Sequence, residues 1–479
     1  MVARRAYSLL AALPLLLLSG CPGPGPSDIP TIHVGVAIDR SANNAEPSWG
    51  DVIKLAEAQM NAALKETNHN LRFEFTIRDS ANDPATAVAT SVDFAQRMGV
   101  KALIIDTSQN DTAVNRTFYD TDAANDLGVP IICGGCTSGS INNPANADPD
   151  PIAREAFRNT QKWNFRAIMS TKLLSKVILD ILAPGGVGDV NGDGKLKLAF
   201  YGSNEAFGKG ARADIDAAAR TKLACPAAPS PCPNYVINDL FHPQDADPNS
   251  YPWSNDAALL FSNVNTNTQI PDGYPDALVE AHFAAQNAAF LRAYKTAGYT
   301  IRVMHFQTFR LQSALRTVQD LADGEEGVSH LALEKGPSGD TFKGDYESTF
   351  GTRVVYRDSI YYDAASAVML GALIGLQGVA GKDPTQLAGT QVADGMRRTS
   401  DVANGGSVIR TGVEQYKSAI ALIESGAPIN YEGASGPMDF DANQNILDRL
   451  AHYKVADGAF VDVQTFDCVT SSTCPPVGQ

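Results

Sequence analysis

The chain has 479 residues, 44% of them hydrophobic, with 38 Lys and Arg against 53 Asp and Glu for a net charge of −15. This length is enough for two or three domains with their own cores, and a charged fraction of 19% argues against wholesale disorder. The acidic balance argues against nucleic acid as a partner, because phosphates need a basic stripe and no basic run exceeds two residues.

The N-terminus has the pattern of an export signal. Arg4 and Arg5 precede ten apolar residues from Leu9 to Leu18, too few to span a bilayer, which takes about 20. Residues 1–20 are therefore predicted to be a signal peptide. The segment ending in Cys21 resembles the lipobox of bacterial lipoproteins, which implies lipidation of Cys21; a free signal peptide with an incidental Cys is the alternative. Residues 21–30, rich in Pro and Gly, predict an extended tether.

Strand and helix patterns alternate along the mature chain. Residues 31–38 are predicted as a buried strand, Pro47 to Leu64 as an amphipathic helix, and Leu71 to Ile77 as an alternating strand. The following predicted elements are helix 84–98, strand 101–106, helix 111–127 and strand 129–133. A second series begins near Trp163, with predicted strands at 196–201, 235–241, 277–281 and 300–306. This β-α-β-α order predicts an α/β protein with two doubly wound parallel sheets.

Six cysteines remain after Cys21, and they lie in three close pairs. The pairs are Cys133 with Cys136, Cys225 with Cys232, and Cys468 with Cys474. An even number in an exported chain predicts three local disulfides. Cys133-Gly-Gly-Cys136 also has the spacing of a redox pair or of half a zinc site, but its place in the sequence is not typical of either kind of site.

Catalytic signatures are absent from the sequence. The seven His are scattered without a zinc-protease pattern, and no Gly-x-Ser-x-Gly occurs. The loop from Asp189 through Asn191 to Asp193 carries oxygen ligands at the first, third and fifth positions of a calcium loop. Phe200 stands where an EF-hand has Glu, which excludes a full EF-hand. A looser structural Ca²⁺ site and a simple polar turn both remain open, and no other cofactor is expected.

From about Ile32 to Val461 the chain resembles the type 1 periplasmic binding proteins, specifically the leucine/branched-chain amino-acid-binding solute receptors of ABC transporters. The resemblance rests on ordered segments that include Val34-Gly35 to Asn61, Arg78-Asp79, Gly128 to Ile132, Phe157-Arg158, Phe207 to Gly210, Pro275 to Ala277, Tyr361 to Ala365 and Gly433 to Phe440. It implies two lobes that are joined by a three-strand hinge and close on a small solute. By this resemblance, lobe one comprises residues 31–157 and 309–427, and lobe two comprises 158–308 and 428–479.

The resemblance also implies a set of ligand-binding residues. The family's ligand loops fall on Thr107-Ser108-Gln109 and Cys136-Thr137, whose hydroxyl and N–H groups would hold a carboxylate. For Ser108 and Thr137 the alternative is capping of the helices that they precede. Aromatic walls fall on Trp49, Phe207 and Phe283, for which core packing is the alternative. His282 and Thr308 complete the predicted set.

One departure from the family concerns the ammonium group of an amino acid. Members that bind α-amino acids have an acidic residue near the strand that ends here at His305-Phe306-Gln307-Thr308, and this stretch has none. Glu280 and His282 on a neighbouring strand are the candidate substitutes. Phe207 and Phe283 also lack the hydroxyls of the family's tyrosines. We therefore expect a ligand other than a simple zwitterionic amino acid.

Three functions remain. The first is a monomeric, lipid-anchored receptor facing the periplasm or the cell exterior, which delivers an amino acid, amide or small carboxylate to an ABC permease and touches the membrane through the lipid alone. The second is a sensing module for a signalling partner. The third is an exported enzyme, which is disfavoured because no nucleophile–base pair is visible.

Overall fold

The computed structural model describes residues 29–42, 45–119, 126–143, 163–183, 188–269, 272–331, 333 and 335–477. The predicted signal peptide, Cys21, most of the tether and Phe157-Arg158 lie outside these residues. The described α-helices are Ser48–Glu66, Pro84–Asp93, Ser108–Phe118, Thr171–Leu182, Ala206–Lys222, Trp253–Leu260, Ala284–Thr296, Gln312–Val318, Pro337–Phe350, Asp358–Leu376, Gly389–Arg397 and Val413–Glu424.

Five parallel strands form the first sheet, in the order β2-β1-β3-β4-β5. They are β1 (Thr31–Ile38), β2 (Arg72–Asp79), β3 (Ala102–Ile105), β4 (Ile131–Cys133) and β5 (Asn164–Arg166). The predicted helix 111–127 instead runs from Ser108 to Phe118, and it begins three residues before the predicted start because Thr107 supplies the N-cap. The predicted doubly wound arrangement of this half is confirmed.

The second sheet has seven strands in the order β14-β13-β10-β9-β8-β6-β7. They are β6 (Leu196–Ser203), β7 (Tyr235–His242), β8 (Ala277–Ala281), β9 (Arg302–His305), β10 (Glu326–His330), β13 (Arg449–Ala456) and β14 (Ala459–Asp467). β6 to β10 are parallel, whereas β13 and β14 form an antiparallel hairpin at the edge of β10. A small parallel pair, β11 (Ser407–Ile409) and β12 (Ile429–Tyr431), stands apart from both sheets.

The strand pairings move the predicted lobe boundaries. β5 belongs to the first sheet although lobe two was predicted from residue 158, and β10 belongs to the second although lobe one was predicted to resume at 309. β12 pairs with β11 and packs with the core of the first sheet. Short strands are assigned by hydrogen bonds to partners distant in sequence, which local patterns do not show. We therefore define lobe one as the described residues of 31–166 and 337–431, and lobe two as those of 171–330 and 449–467.

The helix Asp358–Leu376 lies at the centre of lobe one. It has the length and hydropathy of a membrane span, with a mean hydropathy of 1.4, but 94% of its apolar stretch is buried inside the protein. It packs against the helices Ser48–Glu66 and Gly389–Arg397. An all-round apolar helix covered by protein is typical of a core helix. No other helix in the described part of the chain has the length and hydropathy of a span.

All three predicted cysteine pairs are joined as disulfides in the structure: Cys133–Cys136, Cys225–Cys232 and Cys468–Cys474. The first lies fully buried in lobe one and the other two are in lobe two and its C-terminal extension. The local disulfide prediction is therefore confirmed.

Glu326 joins three strands of lobe two and gives a pH-dependent contribution to stability. Its carboxylate accepts hydrogen bonds from Arg302 Nε at 2.5 Å and from His452 Nε2 at 2.7 Å. Burial alone would raise the pKa of Glu326, but these bonds outweigh burial and lower the pKa to about 2. Because the pKa of an unfolded Glu is about 4.3, this stabilisation is complete above that pH and disappears as the pH falls towards the folded pKa.

We expect Glu326→Gln to lower the free energy of unfolding by about 2–3 kcal/mol at pH 7, and by much less at about pH 2.5. Urea denaturation at the two pH values measures this difference. Glu414→Gln is the control, because its side chain is 78% exposed beside Lys417. Equal destabilisation by Glu326→Gln at both pH values would contradict the prediction.

Candidate functional site

A small cavity lies between the lobes, beyond the carboxyl ends of the strands of both sheets. Its volume is about 10 Å³, which is room for about one water molecule. Six of its lining residues belong to the predicted ligand set: Thr107, Ser108, Thr137, Phe207, Phe283 and Thr308. Three further lining residues, Gly135, Gln307 and Arg357, were not predicted.

Four helices begin at this cavity, two from each lobe. They are Ser108–Phe118 and Asp358–Leu376 from lobe one, and Ala206–Lys222 and Ala284–Thr296 from lobe two. In each case the cap residue or a residue of the first turn lines the cavity. The N–H groups at helix N-termini carry partial positive charge, so this convergence favours an anion.

The polar side of the cavity comes from the loops after β3 and β4. Thr107 caps the helix that follows, accepting from Asn110 N at 3.4 Å, so the cap lies one residue before Ser108. Ser108 Oγ accepts a hydrogen bond from Ser138 N at 3.1 Å. Thr137 Oγ1 accepts from Gln307 Nε2 at 2.8 Å, which links the two lobes. Capping therefore does not describe the role of Ser108 or Thr137.

Gly134 and Gly135 bring the β4 loop close to the cavity. A Cβ atom on Gly134 would lie 2.6 Å from the ring of Tyr361. A Cβ atom on Gly135 would overlap the carbonyl oxygen of Asp106 and lie 3.4 Å from Arg357 Nη1. Only glycine permits this close approach. In the sequence the pair is only the spacer between Cys133 and Cys136, so it carries no signal of this role.

The apolar side of the cavity comes from lobe two. The ring centroid of Phe207 lies 6.2 Å from that of Phe283 and 6.4 Å from that of Phe306. Glu205 fixes the first turn that carries Phe207, since its carboxylate accepts from Phe207 N at 2.7 Å and Gly208 N at 2.9 Å. Burial raises the pKa of Glu205 to about 7 in spite of these two bonds. The two predicted aromatic side chains thus line the cavity and also pack against each other.

Arg357 is the cationic side chain of the cavity, and the sequence analysis missed it. Its side chain is buried, with the residue only 2% exposed, and its Nε atom has no hydrogen-bond partner. Among the described residues no carboxylate forms an ion pair with it. Its φ of 73° lies in the left-handed region, which is uncommon for a residue other than glycine. An Arg before a helix is usually a solvated residue, so the sequence alone carries no signal of this burial.

Four predicted residues lie outside the cavity lining: Trp49, Gln109, Cys136 and His282. Trp49 is fully buried and stacks on Tyr361 with ring centroids 4.6 Å apart. Gln109 Nε2 donates to the backbone oxygen of Asn82 at 2.9 Å. Cys136 is bonded to Cys133. His282 Nδ1 lies 2.7 Å from His242 Nε2, and burial lowers the pKa of His282 well below its ordinary value.

The second candidate partner for an ammonium group, Glu280, is paired elsewhere. Its Oε2 atom lies 3.0 Å from His305 Nδ1, and His305 Nε2 lies 3.0 Å from Glu325 Oε2. Burial alone would lower the pKa of His305, but these two carboxylates outweigh it and raise the pKa to about 9. The cavity lining therefore contains one cation and no carboxylate.

The predicted calcium loop is an exposed turn in which the side chains bind backbone N–H groups. Asp189 Oδ1 accepts from Gly192 N at 2.6 Å, and Oδ2 accepts from Gly194 N at 2.7 Å. Asn191 Oδ1 accepts from Asp193 N at 3.1 Å. These contacts are those of a polar turn. Occupancy by Ca²⁺ stays a prediction.

Comparison with known proteins gives a likeness in structure rather than in sequence. No protein-family model matches the chain, and no curated protein matches its sequence. A leucine-binding protein of Thermotoga maritima superimposes with a TM-score of 0.62 at 13% identity, over 91% of this chain and 99% of that one.

Two solute-binding proteins of ABC transporters from Rhodopseudomonas palustris give similar values. One, in complex with benzoate, has a TM-score of 0.62 at 13% identity and covers 94% of this chain and 98% of its own. The other, from strain BisB5 with 3,4-dihydroxybenzoic acid, has a TM-score of 0.59 at 17% identity and covers 92% and 98%. The chain therefore has the type 1 periplasmic binding protein fold, an α/β architecture of two doubly wound lobes.

Proposed function

We propose that the protein is an exported solute-binding receptor that closes its two lobes on a small organic molecule and delivers it to an ABC importer. The observation that carries this proposal is the cavity itself, whose polar and aromatic side chains come from both lobes. Proteins of the same fold are described in complexes with isoleucine and with benzoates. We assign no catalytic step to the site.

Closure explains the size of the cavity. An organic solute is larger than one water molecule, so it enters only when the lobes stand further apart. Several of the described hydrogen bonds cross between the lobes near the cavity. Gln307 Nε2 donates to Thr137 Oγ1 at 2.8 Å, and Gln244 Nε2 donates to the backbone oxygen of Asn82 at 3.4 Å. Thr171 donates from its backbone N at 2.7 Å and from Oγ1 at 3.0 Å to the backbone oxygen of Thr137. Contacts of the solute with both lobes would supply the free energy that favours the closed state.

The proposal includes attachment to the membrane, which the sequence supports. The signal segment and Cys21 support export and lipidation, and residues 22–30 would hold the lobes away from the membrane. The permease would then be the partner of the closed receptor. A single copy of the chain is sufficient to form the cavity, because both walls of the cavity belong to one chain.

Ligand binding tests this proposal. We expect one chemical class within a panel of amino acids, amides and small carboxylates to raise the melting temperature. At 100 times its Kd, such a ligand adds about 2.7 kcal/mol to the free energy of unfolding. Thr137→Ala should weaken binding at least tenfold and leave the melting temperature of the free protein nearly unchanged. Thr117→Ala, on an exposed helix face, is the control.

Mass spectrometry of the recovered solute distinguishes a receptor from an enzyme. Unchanged solute is expected after long incubation. Chemical conversion of the solute, or the failure of every compound class to bind, would contradict the receptor function.

A further inference from the structure

We propose that the solute is an organic carboxylate without an ammonium group, whose carboxylate pairs with Arg357 and whose apolar body packs against Phe207 and Phe283. This inference rests on the receptor function proposed above and names the chemistry of its solute.

Arg357 lacks a counter-charge in the described part of the protein. A buried cation is costly unless it is paired and hydrogen-bonded. The other two buried arginines in the described chain are compensated. Arg310 Nη2 lies 2.7 Å from Asp462 Oδ1. Arg166 has three carboxylates near it, and it donates from Nε to Asn445 Oδ1 at 2.9 Å and from Nη1 to the backbone oxygen of Ser138 at 3.0 Å. Arg357 contacts the ring of Tyr356, with Cζ 5.5 Å from the ring centroid, but it forms no ion pair among the described residues and its Nε has no hydrogen-bond partner. A planar carboxylate fits the fork of a guanidinium with two parallel hydrogen bonds.

Other groups that favour a carboxylate line the cavity beside Arg357. Thr308 Oγ1 lies in the same cavity, is buried and has no hydrogen-bond partner, so it is a free hydroxyl donor. Ser108, the first residue of the helix Ser108–Phe118, lines the same cavity, so the partial positive charge of that helix N-terminus lies beside it. Gly135 also lines the cavity, and a Cβ atom at this position would lie 3.4 Å from Arg357 Nη1. Arg357 and Thr308 thus face one cavity between the lobes.

The cavity disfavours a solute with an ammonium group. A bound ammonium group would lie near Arg357 and the positive ends of four helices. No carboxylate lines the cavity to offset this repulsion, because Glu280 is paired with His305. Phe207 and Phe283 present an apolar wall without a hydroxyl group. An α-amino acid is therefore disfavoured relative to the same molecule without its amino group.

Matched ligand pairs test this inference by isothermal titration calorimetry on the purified protein. The pairs are 4-methylpentanoate with leucine, 3-phenylpropionate with phenylalanine, and benzoate with benzamide. We expect at least one carboxylate to bind, and its amino-acid or amide counterpart to bind at least 100-fold more weakly. Equal affinities within a pair, or binding of none of the three carboxylates, would overturn the inference.

Variants of Arg357 locate the binding group. Arg357→Met should reduce affinity for the carboxylate at least 100-fold without lowering the melting temperature, because a buried charge is removed. Arg357→Lys should lose less affinity, since it keeps the charge. Arg353→Met changes an exposed arginine four residues earlier and should leave binding unaltered.

Failure of this inference is distinguishable from failure of the receptor function. If leucine or an amide binds tightly and Arg357→Met does not change its affinity, the inference is overturned but the receptor function stands. The absence of any bound solute in the wider panel would reject both.

Discussion

Replacing Asp363 with alanine is expected to lower the free energy of unfolding by about 3–5 kcal/mol, since buried donors left without acceptors cost about 1–3 kcal/mol each. The Asp363 carboxylate is fully buried on the central helix of lobe one. Oδ1 accepts from Tyr431 Oη at 2.8 Å and Ala434 N at 2.9 Å, and Oδ2 accepts from Ser435 N at 2.7 Å and Ser435 Oγ at 2.6 Å. These bonds hold the segment that leaves β12 towards lobe two.

Urea denaturation measures this loss. Asp394→Ala is the control, because it removes an exposed ion pair with Arg397 and should change stability by less than about 1 kcal/mol. Asp363→Asn should be intermediate, since an amide oxygen satisfies only part of the four donors. A loss from Asp363→Ala no larger than that of the control would show that water replaces the carboxylate at this segment.

Gly135→Ala is expected to reduce solute affinity at least 100-fold and to lower the free energy of unfolding by about 1–3 kcal/mol, as overpacking commonly does. The added Cβ would overlap the carbonyl oxygen of Asp106. Because this oxygen and the carbonyl carbon of Asp106, the two atoms nearest the added Cβ, belong to the backbone, the β4 loop must move, and Thr137 and the space beside Arg357 move with it.

Calorimetry with the identified solute and urea denaturation measure the two effects of Gly135→Ala. Gly344→Ala is a matched control, because it lies in the helix Pro337–Phe350 with nothing near its Cβ position, and it should stabilise the protein by about 0.5–1 kcal/mol. Wild-type affinity in Gly135→Ala would mean that the loop position does not shape the site.

Much of the fold could be predicted from residue patterns because the long strands are continuous apolar or strictly alternating runs. The predicted strand 277–281 has the bounds of β8, and 31–38 has those of β1. The β13–β14 hairpin was missed, although Asp457-Gly458 between two strand-like runs is a strong hairpin signal, and both residues have positive φ in the structure. Three-residue strands such as β5 depend on distant partners and have no local signal.

The candidate site could be predicted only in part. Thr107, Thr137 and Phe207 were predicted from the resemblance to the binding-protein family, and their place after strands of a doubly wound sheet is consistent with loops that meet at one edge. Arg357 was missed because the residues that share its cavity, such as Thr107 and Gly135, lie more than 200 residues away in the chain. Trp49 was assigned to the cleft by the family resemblance, but it is buried and stacks on Tyr361 of a helix distant in the chain.

The interleaving of the lobes has a consequence for how the polypeptide acquires its structure. The strands of lobe one are made first, but the helix Asp358–Leu376 that packs against the helix Ser48–Glu66 follows the parallel strands of lobe two in the chain. A fragment ending after β10 would therefore expose the apolar surface of its first sheet, and it would also lack the β13–β14 edge of the second. Neither lobe corresponds to one contiguous stretch of the chain. Limited proteolysis of the segments that connect the lobes should therefore release neither lobe as a stable fragment. The two lobes should unfold in one cooperative transition.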